Sequence, residues 1–79
     1  MGRDSAIEKI RAIVEKYISA QDLEVGVPLT AKPYYVSPRS LAAIFLDIEQ
    51  EFEVDLDKVF DQPLDYSINT MADAIVAQF

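Results

Sequence analysis

The sequence predicts a single all-α domain covering residues 1–79, and three observations support this fold class. Apolar residues recur at helical spacing in three separate segments of the chain. Only two glycines and four prolines occur, too few for the many turns of an all-β design. An apolar content of 51% and a charged content of 27% are typical of a folded domain and not of a disordered chain.

The first helix is predicted at residues 5–20. Ser5 begins a capping signature, because Glu8 follows three residues later and can bond back to a free backbone amide. The apolar residues that then follow at helical spacing are Ile10, Ile13, Val14, Tyr17 and Ile18.

A long loop is predicted at residues 21–36, since Gly26, Pro28 and Pro33 interrupt the helical pattern. A loop of this length in a small domain is often functional or carries its own packing contacts. The residues expected to supply such contacts are Leu23, Val25, Val27 and Leu29.

The second helix is predicted at residues 37–52. Ser37 can cap free amides, and Pro38 suits the first helical position because its missing N–H would be unpaired there anyway. Its apolar face is formed by Leu41, Ile44, Phe45, Ile48 and Phe52. Acidic and apolar residues alternate over residues 47–57, which by itself indicates a strand. The helical pattern starts earlier and runs longer, so we expect helix through Phe52 and an extended turn after it.

The C-terminal part is predicted to contain a short helical turn and one more helix. The turn covers residues 56–60 and is ended by Pro63. Asn69 is the predicted cap of the last helix, at residues 70–78. The residues expected to face inward are Met71, Ala74, Ile75 and either Gln78 or Phe79.

Composition excludes several kinds of function. The chain has no cysteine, which excludes disulfides, thiolate metal sites and cysteine nucleophiles. It has no histidine, the commonest general base near neutral pH and the commonest metal ligand. Asp55, Asp57 and Asp61 lack the central glycine and the terminal glutamate of a calcium loop. We therefore expect no enzymatic activity, no catalytic residue and no metal site.

The net charge of −7 is concentrated in one segment. Residues 47–65 contain eight acids, with Asp47 and Asp65 included, and one base, Lys58. The rest of the chain has equal numbers of acids and bases. This acidic segment would repel the phosphates of a nucleic acid. It would attract a protein with a basic patch; the alternative interpretation is a solvated face that keeps the protein soluble. No apolar run is long enough for a signal peptide or a membrane span, so a cytoplasmic protein is expected.

Three segments share features with one known family. They are Ile10-(x2)-Ile13-Val14-(x3)-Ile18, Ile44-(x3)-Ile48-Glu49-(x2)-Phe52-Glu53-Val54-Asp55-Leu56, and Ile68-Asn69-Thr70-Met71-(x2)-Ala74-Ile75. In this order, with a long loop and a short turn between them, they resemble the acyl and peptidyl carrier protein family. The resemblance covers nearly the whole chain and implies a four-helix bundle of three main helices and one short helical turn.

The resemblance also implies a cofactor site, at which this chain departs from the family. A serine at the start of the family's second helix carries a phosphopantetheine arm, in an Asp-Ser-Leu sequence after a glycine-containing turn. Counting back from Glu49 and Phe52 places that serine at Pro38, which has no hydroxyl. Ser37 stands where the acid is expected. If Ser40 were the attachment site, the helix would have to shift by two residues relative to the family. This is a rotation of about 200°, which would turn every later apolar residue away from the core.

Each candidate residue also has a simpler interpretation. Ser37 is interpreted as a helix cap and Ser40 as a polar residue of the first turn. Tyr34 and Tyr35, which stand in place of the family's glycine turn, are interpreted as loop residues packed over the core, with a binding platform as the alternative. The predicted partner surface consists of Arg39, Asp47, Glu51, Asp55 and Asp57, with Arg39 alternatively a solvated charge.

Three functional hypotheses follow. The favoured one is a divergent carrier-like binding or scaffolding module of a biosynthetic or peptide-modifying system, without phosphopantetheine. The second is a working carrier with the arm on Ser37 or Ser40. The third is an unrelated acidic helical domain that binds a basic protein, for which a strand at residues 47–57 would be evidence.

Overall fold

The computed structural model describes residues 2–18, 23–32, 34–56 and 65–78. Within these ranges the chain forms three helices and no strand, which confirms the all-α prediction. They are α1 (Arg3–Glu15), α2 (Pro38–Phe52) and α3 (Ile68–Val76). None of the described helices is long and apolar enough to cross a membrane.

Helix α1 starts two residues earlier than predicted, and the capping role assigned to Ser5 is wrong. Gly2 is the N-cap residue in extended conformation and makes no side-chain cap bond, while Ser5 is exposed within the helix. The first turn of α1 instead forms an ion pair with α3, in which Arg3 Nε lies 2.6 Å from Asp73 Oδ1. The regular helix ends at Glu15, although the Ile18 N–H still bonds to the Val14 carbonyl at 3.1 Å.

Helix α2 begins as the sequence predicts. Ser37 has extended backbone angles, and its Oγ accepts a hydrogen bond from the Ser40 N–H at 3.2 Å, with Pro38 at the first helical position. The helix ends at Phe52 because Glu53 adopts a left-handed conformation with φ of 55°. The Leu56 N–H then donates to Glu49 Oε2 at 3.2 Å, which fixes the extended turn against the helix end.

Helix α3 is capped by Ser67, so the prediction of Asn69 as the cap is wrong. Ser67 Oγ accepts from the Thr70 N–H at 3.2 Å, and its hydroxyl donates to Thr70 Oγ1 at 2.8 Å. Asn69 is already helical, and its own N–H donates to the Val25 carbonyl at 2.9 Å. The Ser67 N–H donates to Asp65 Oδ1 at 3.0 Å, and this bond holds the pKa of Asp65 below its usual range.

The core is formed by all three helices and by the long loop, with α1 packed against both α2 and α3. Met71 and Ile75 are buried as predicted, Ala74 is half-buried and Gln78 is exposed. Ala72, which the sequence pattern did not single out, is fully buried. Of the turn predicted at residues 56–60, only Leu56 is described, and it is buried; residues 57–60 and Phe79 lie outside the described residues.

The loop between α1 and α2 carries packing contacts, as predicted, and the structure shows that these contacts join it to the start of α3. Leu23 and Leu29 are buried in the core. The Leu29 N–H donates to the Tyr66 carbonyl at 3.1 Å, and the Val36 N–H donates to the Leu29 carbonyl at 2.8 Å. These bonds satisfy backbone groups that would otherwise be buried without partners, and they fix where the chain enters α2.

Candidate functional site

The start of α2 presents two serine hydroxyls that bond to each other. Ser37 Oγ donates to Ser40 Oγ at 3.2 Å while accepting from the Ser40 backbone N–H. Ser37 is exposed and Ser40 is half-buried. Pro38 stands exposed between them, at the position to which the family resemblance assigns the modified serine. The helix start therefore has a capped and stable geometry without a hydroxyl at that position.

The two tyrosines before this helix have different roles. Tyr34 is half-buried against the core, and its hydroxyl accepts from the Glu24 N–H at 2.7 Å. Tyr35 has 61% of its surface exposed and a φ of 45°, so the prediction that both tyrosines pack over the core holds for Tyr34 only. A left-handed conformation favours glycine and disfavours a residue with a Cβ atom. The turn before α2 therefore has a backbone suited to glycine, with an exposed aromatic side chain on it.

Replacing Tyr35 with glycine should stabilise the protein by about 0.5–1 kcal/mol. The substitution removes the left-handed strain, and little packing is lost because Tyr35 is largely exposed. Urea unfolding followed by circular dichroism measures the difference.

The matched control is Tyr34→Gly. It loses the bond to the Glu24 amide and the contacts of a half-buried ring, so it should destabilise the protein. If Tyr35→Gly also lowered the urea midpoint of unfolding, the side chain of Tyr35 would contribute more to stability than its exposure indicates.

Two of the predicted surface acids lie on the side of α2 that faces α1. The Tyr17 hydroxyl donates to Asp47 Oδ2 at 2.6 Å, and this bond raises the pKa of Tyr17 above its ordinary value. Glu51 Oε1 lies 3.9 Å from Lys9 Nζ, which in turn is 5.8 Å from the centre of the Phe52 ring. Both acids are thus engaged with α1.

Asp47 and Glu51 border a shallow groove of about 180 Å³ between α1 and α2. Its other lining residues are Ile13, Lys16 and Gln50. The groove is open to solvent, and it combines two carboxylates with one ammonium group. It therefore offers hydrogen-bonding groups at a surface and no enclosed apolar cavity.

The remaining predicted surface residues lie apart from this groove. Arg39 is exposed at the start of α2, and Asp55 is exposed in the turn after it. Glu53, between the helix end and Asp55, is exposed as well. Asp57 lies outside the described residues. The structure thus divides the predicted surface between the start of α2, the groove with α1 and the turn after α2.

Leu46 is a surface feature that the sequence reasoning missed. It exposes 59% of its surface on the side of α2 opposite to the buried Ile44 and Ile48. Ala42, one turn earlier on the same side, is also exposed. Helical spacing alone could have revealed this, because residue 46 falls about 160° and residue 42 about 120° from the centre of the buried face formed by Ile44, Ile48 and Phe52.

Comparison of the chain with protein-family models, with curated proteins and with solved structures finds no match. The family resemblance accordingly depends on the residues of this chain alone. In the described part of the chain, no group of three or more acidic side chains is placed to hold a metal ion.

Proposed function

We propose that this chain is a divergent acyl-carrier-like binding or scaffolding module, which docks a partner protein and carries no phosphopantetheine arm. The observation that carries the proposal is the start of α2. The helix is capped by Ser37 and has Pro38 where the family has its modified serine, so the helix is kept while the attachment hydroxyl is missing.

The helix order supports the carrier-like part of the proposal. A long packed loop separates α1 from α2, and an extended turn follows α2. Tyr35 adopts the backbone region that glycine favours, at the place where the family has a glycine-containing turn. The proposed architecture is a four-helix bundle, with the short helix expected in the segment before α3.

The docking part of the proposal depends on charge. Glu51, Glu53 and Asp55 are exposed at the C-terminal end of α2 and in the turn after it, close together along the chain. A basic patch on an enzyme would be attracted to this end of the molecule. Arg39 lies at the opposite end of the same helix, so the charge gradient along α2 would also orient the partner.

Restoring the family sequence tests the helix register on which the proposal depends. The triple variant Ser37→Asp, Pro38→Ser and Arg39→Leu recreates Asp-Ser-Leu at the start of α2. Incubated with coenzyme A and a promiscuous phosphopantetheinyl transferase, it should gain the mass of one phosphopantetheine, whereas the natural chain should gain none. Intact-mass spectrometry measures both, with a known carrier protein labelled in parallel.

Two results would contradict the proposal. Labelling of the natural chain that disappears in Ser37→Ala or Ser40→Ala would show a working carrier with a shifted attachment site. Failure of the correctly folded triple variant to be labelled would argue against the carrier-like register, and would favour an unrelated acidic interaction domain.

The shifted-site carrier is the second candidate, because Ser37 is exposed at the N-terminus of a 15-residue helix. The free amides and the dipole at such an end favour a phosphate group. Modification of Ser37 would, however, compete with its role as the cap of α2.

The docking surface has its own test, by charge reversal. Glu53→Lys with Asp55→Lys, which leaves the contact of Glu51 with α1 intact, should abolish co-purification of the physiological partner. The control Glu8→Lys with Glu24→Lys makes the same change in net charge at exposed positions elsewhere, and it should retain the partner. Equal loss with both pairs would mean that only the overall charge matters.

A further inference from the structure

The side of α2 that faces away from the core has a self-complementary pattern. Arg39, Ala42, Leu46 and Glu49 follow one another there at alternating spacings of three and four residues. This is the spacing at which two helices pack along a common seam. Leu46 has 59% of its surface exposed, and neither the core nor the proposed docking surface uses it.

We propose that a second copy of this chain packs on this face, with the two α2 helices antiparallel about a two-fold axis at the level of residue 44. Such an axis places residue 42 of one copy opposite residue 46 of the other, and residue 39 opposite residue 49. Each Leu46 then packs on the small Ala42 of the other copy. Each Arg39 meets the Glu49 carboxylate of the other copy.

Charge selects the antiparallel arrangement. A parallel pairing would place Arg39 opposite Arg39 and Glu49 opposite Glu49, and like charges facing each other are unfavourable. The antiparallel pairing converts both contacts into opposite-charge pairs. Glu49 is partly fixed in advance, because its Oε2 accepts the Leu56 N–H at 3.2 Å, so less side-chain freedom is lost on association.

Size makes this a weak, exchanging dimer. A helix of 15 residues is about 22 Å long, and one such seam is smaller than the roughly 1,200–2,000 Å² of a stable interface. Each copy also carries a net charge of −7, which opposes approach at low salt. An ionic strength of about 0.15 M limits this repulsion to about 8 Å.

Sedimentation velocity of the purified chain alone tests the proposal, at concentrations up to about 1 mM and at this ionic strength. The average mass should rise with concentration from 8.9 kDa toward twice that value. Leu46→Glu should remain monomeric at every concentration. Ala12→Glu, which adds the same charge at an exposed position of α1, should associate like the natural chain. A natural chain that stays monomeric throughout overturns the proposal and leaves this face to a different protein.

Disulfide trapping tests the antiparallel register, because the natural chain has no cysteine. Ala42→Cys and Leu46→Cys chains mixed in equal amounts should cross-link to each other under mild oxidation. Each variant alone should cross-link poorly, since its two thiols are offset by four residues, about 6 Å along the helix. Equal cross-linking of the single variants and the mixture would overturn the antiparallel seam. The measurements use no partner protein, so their outcome is independent of the proposed function.

Discussion

Replacing Ile48 with alanine should lower the free energy of unfolding by about 2–5 kcal/mol. Ile48 is fully buried at the centre of the apolar face of α2, and the substitution leaves a cavity that the surrounding helices fill only in part. A single core in a domain of this size rarely supplies more than about 3–5 kcal/mol in total. Most of the stability of this protein is therefore at risk from one substitution.

Urea unfolding of dilute protein, followed by far-ultraviolet circular dichroism, measures this loss of unfolding free energy. Leu46→Ala is the matched control, because Leu46 lies two residues away on the same helix but has 59% of its surface exposed. It should change the free energy of unfolding by no more than about 0.5 kcal/mol. Similar losses for the two variants would mean that Leu46 is buried within the folded monomer, because the proposed dimer is too weak to form in dilute protein.

Replacing Ser67 with alanine should cost about 1–2 kcal/mol, the second-largest effect expected. Ser67 has only 2% of its surface exposed, and its hydroxyl accepts from the Thr70 N–H at the start of α3. Without it, that amide loses its partner at a site that water reaches poorly. The same unfolding experiment measures the loss.

Asn69→Ala separates the two candidate caps of α3. The Asn69 side chain does not cap the helix, and its buried Oδ1 has no hydrogen-bond partner in the described part of the structure. Its removal should therefore cost less than about 0.5 kcal/mol. A larger loss for Asn69→Ala than for Ser67→Ala would return the capping role to Asn69.

The sequence predicted the start of α2 correctly because two local signals agree there, whereas the single capping signature at Ser5 did not mark the start of α1. Ser37-Pro38 combines a capping hydroxyl with a residue that suits only the first turn, and α2 begins there. The alternating acids after Asp47 were ambiguous, but the longer helical pattern prevailed through Phe52. At α3 two capping residues lay within three positions, and the sequence offered no local reason to prefer Ser67 to Asn69.

The candidate site was predicted less completely than the fold. Asp47, Glu51 and Asp55 look equivalent in the sequence, yet Asp47 and Glu51 face α1, and only Asp55 lies in the turn. Their separation depends on which side of α2 meets Tyr17 and Lys9. The apolar face predicted for α2 did not include Leu46, and the prediction did not ask which apolar residue of this helix lies outside that face.

By itself, the sequence determined the all-α class, the start and end of α2, and the absence of a hydroxyl at Pro38, because each depends on neighbours within a few residues. Only the tertiary structure decided that Ser67 caps α3 and that Tyr35 adopts a left-handed backbone. Ser67 lies between Tyr66 and Asn69, whose backbone groups bond to the loop before α2 more than 30 residues earlier in the chain, and Tyr35 belongs to that loop. Contacts at that separation follow from how the helices pack, and no local spacing encodes them.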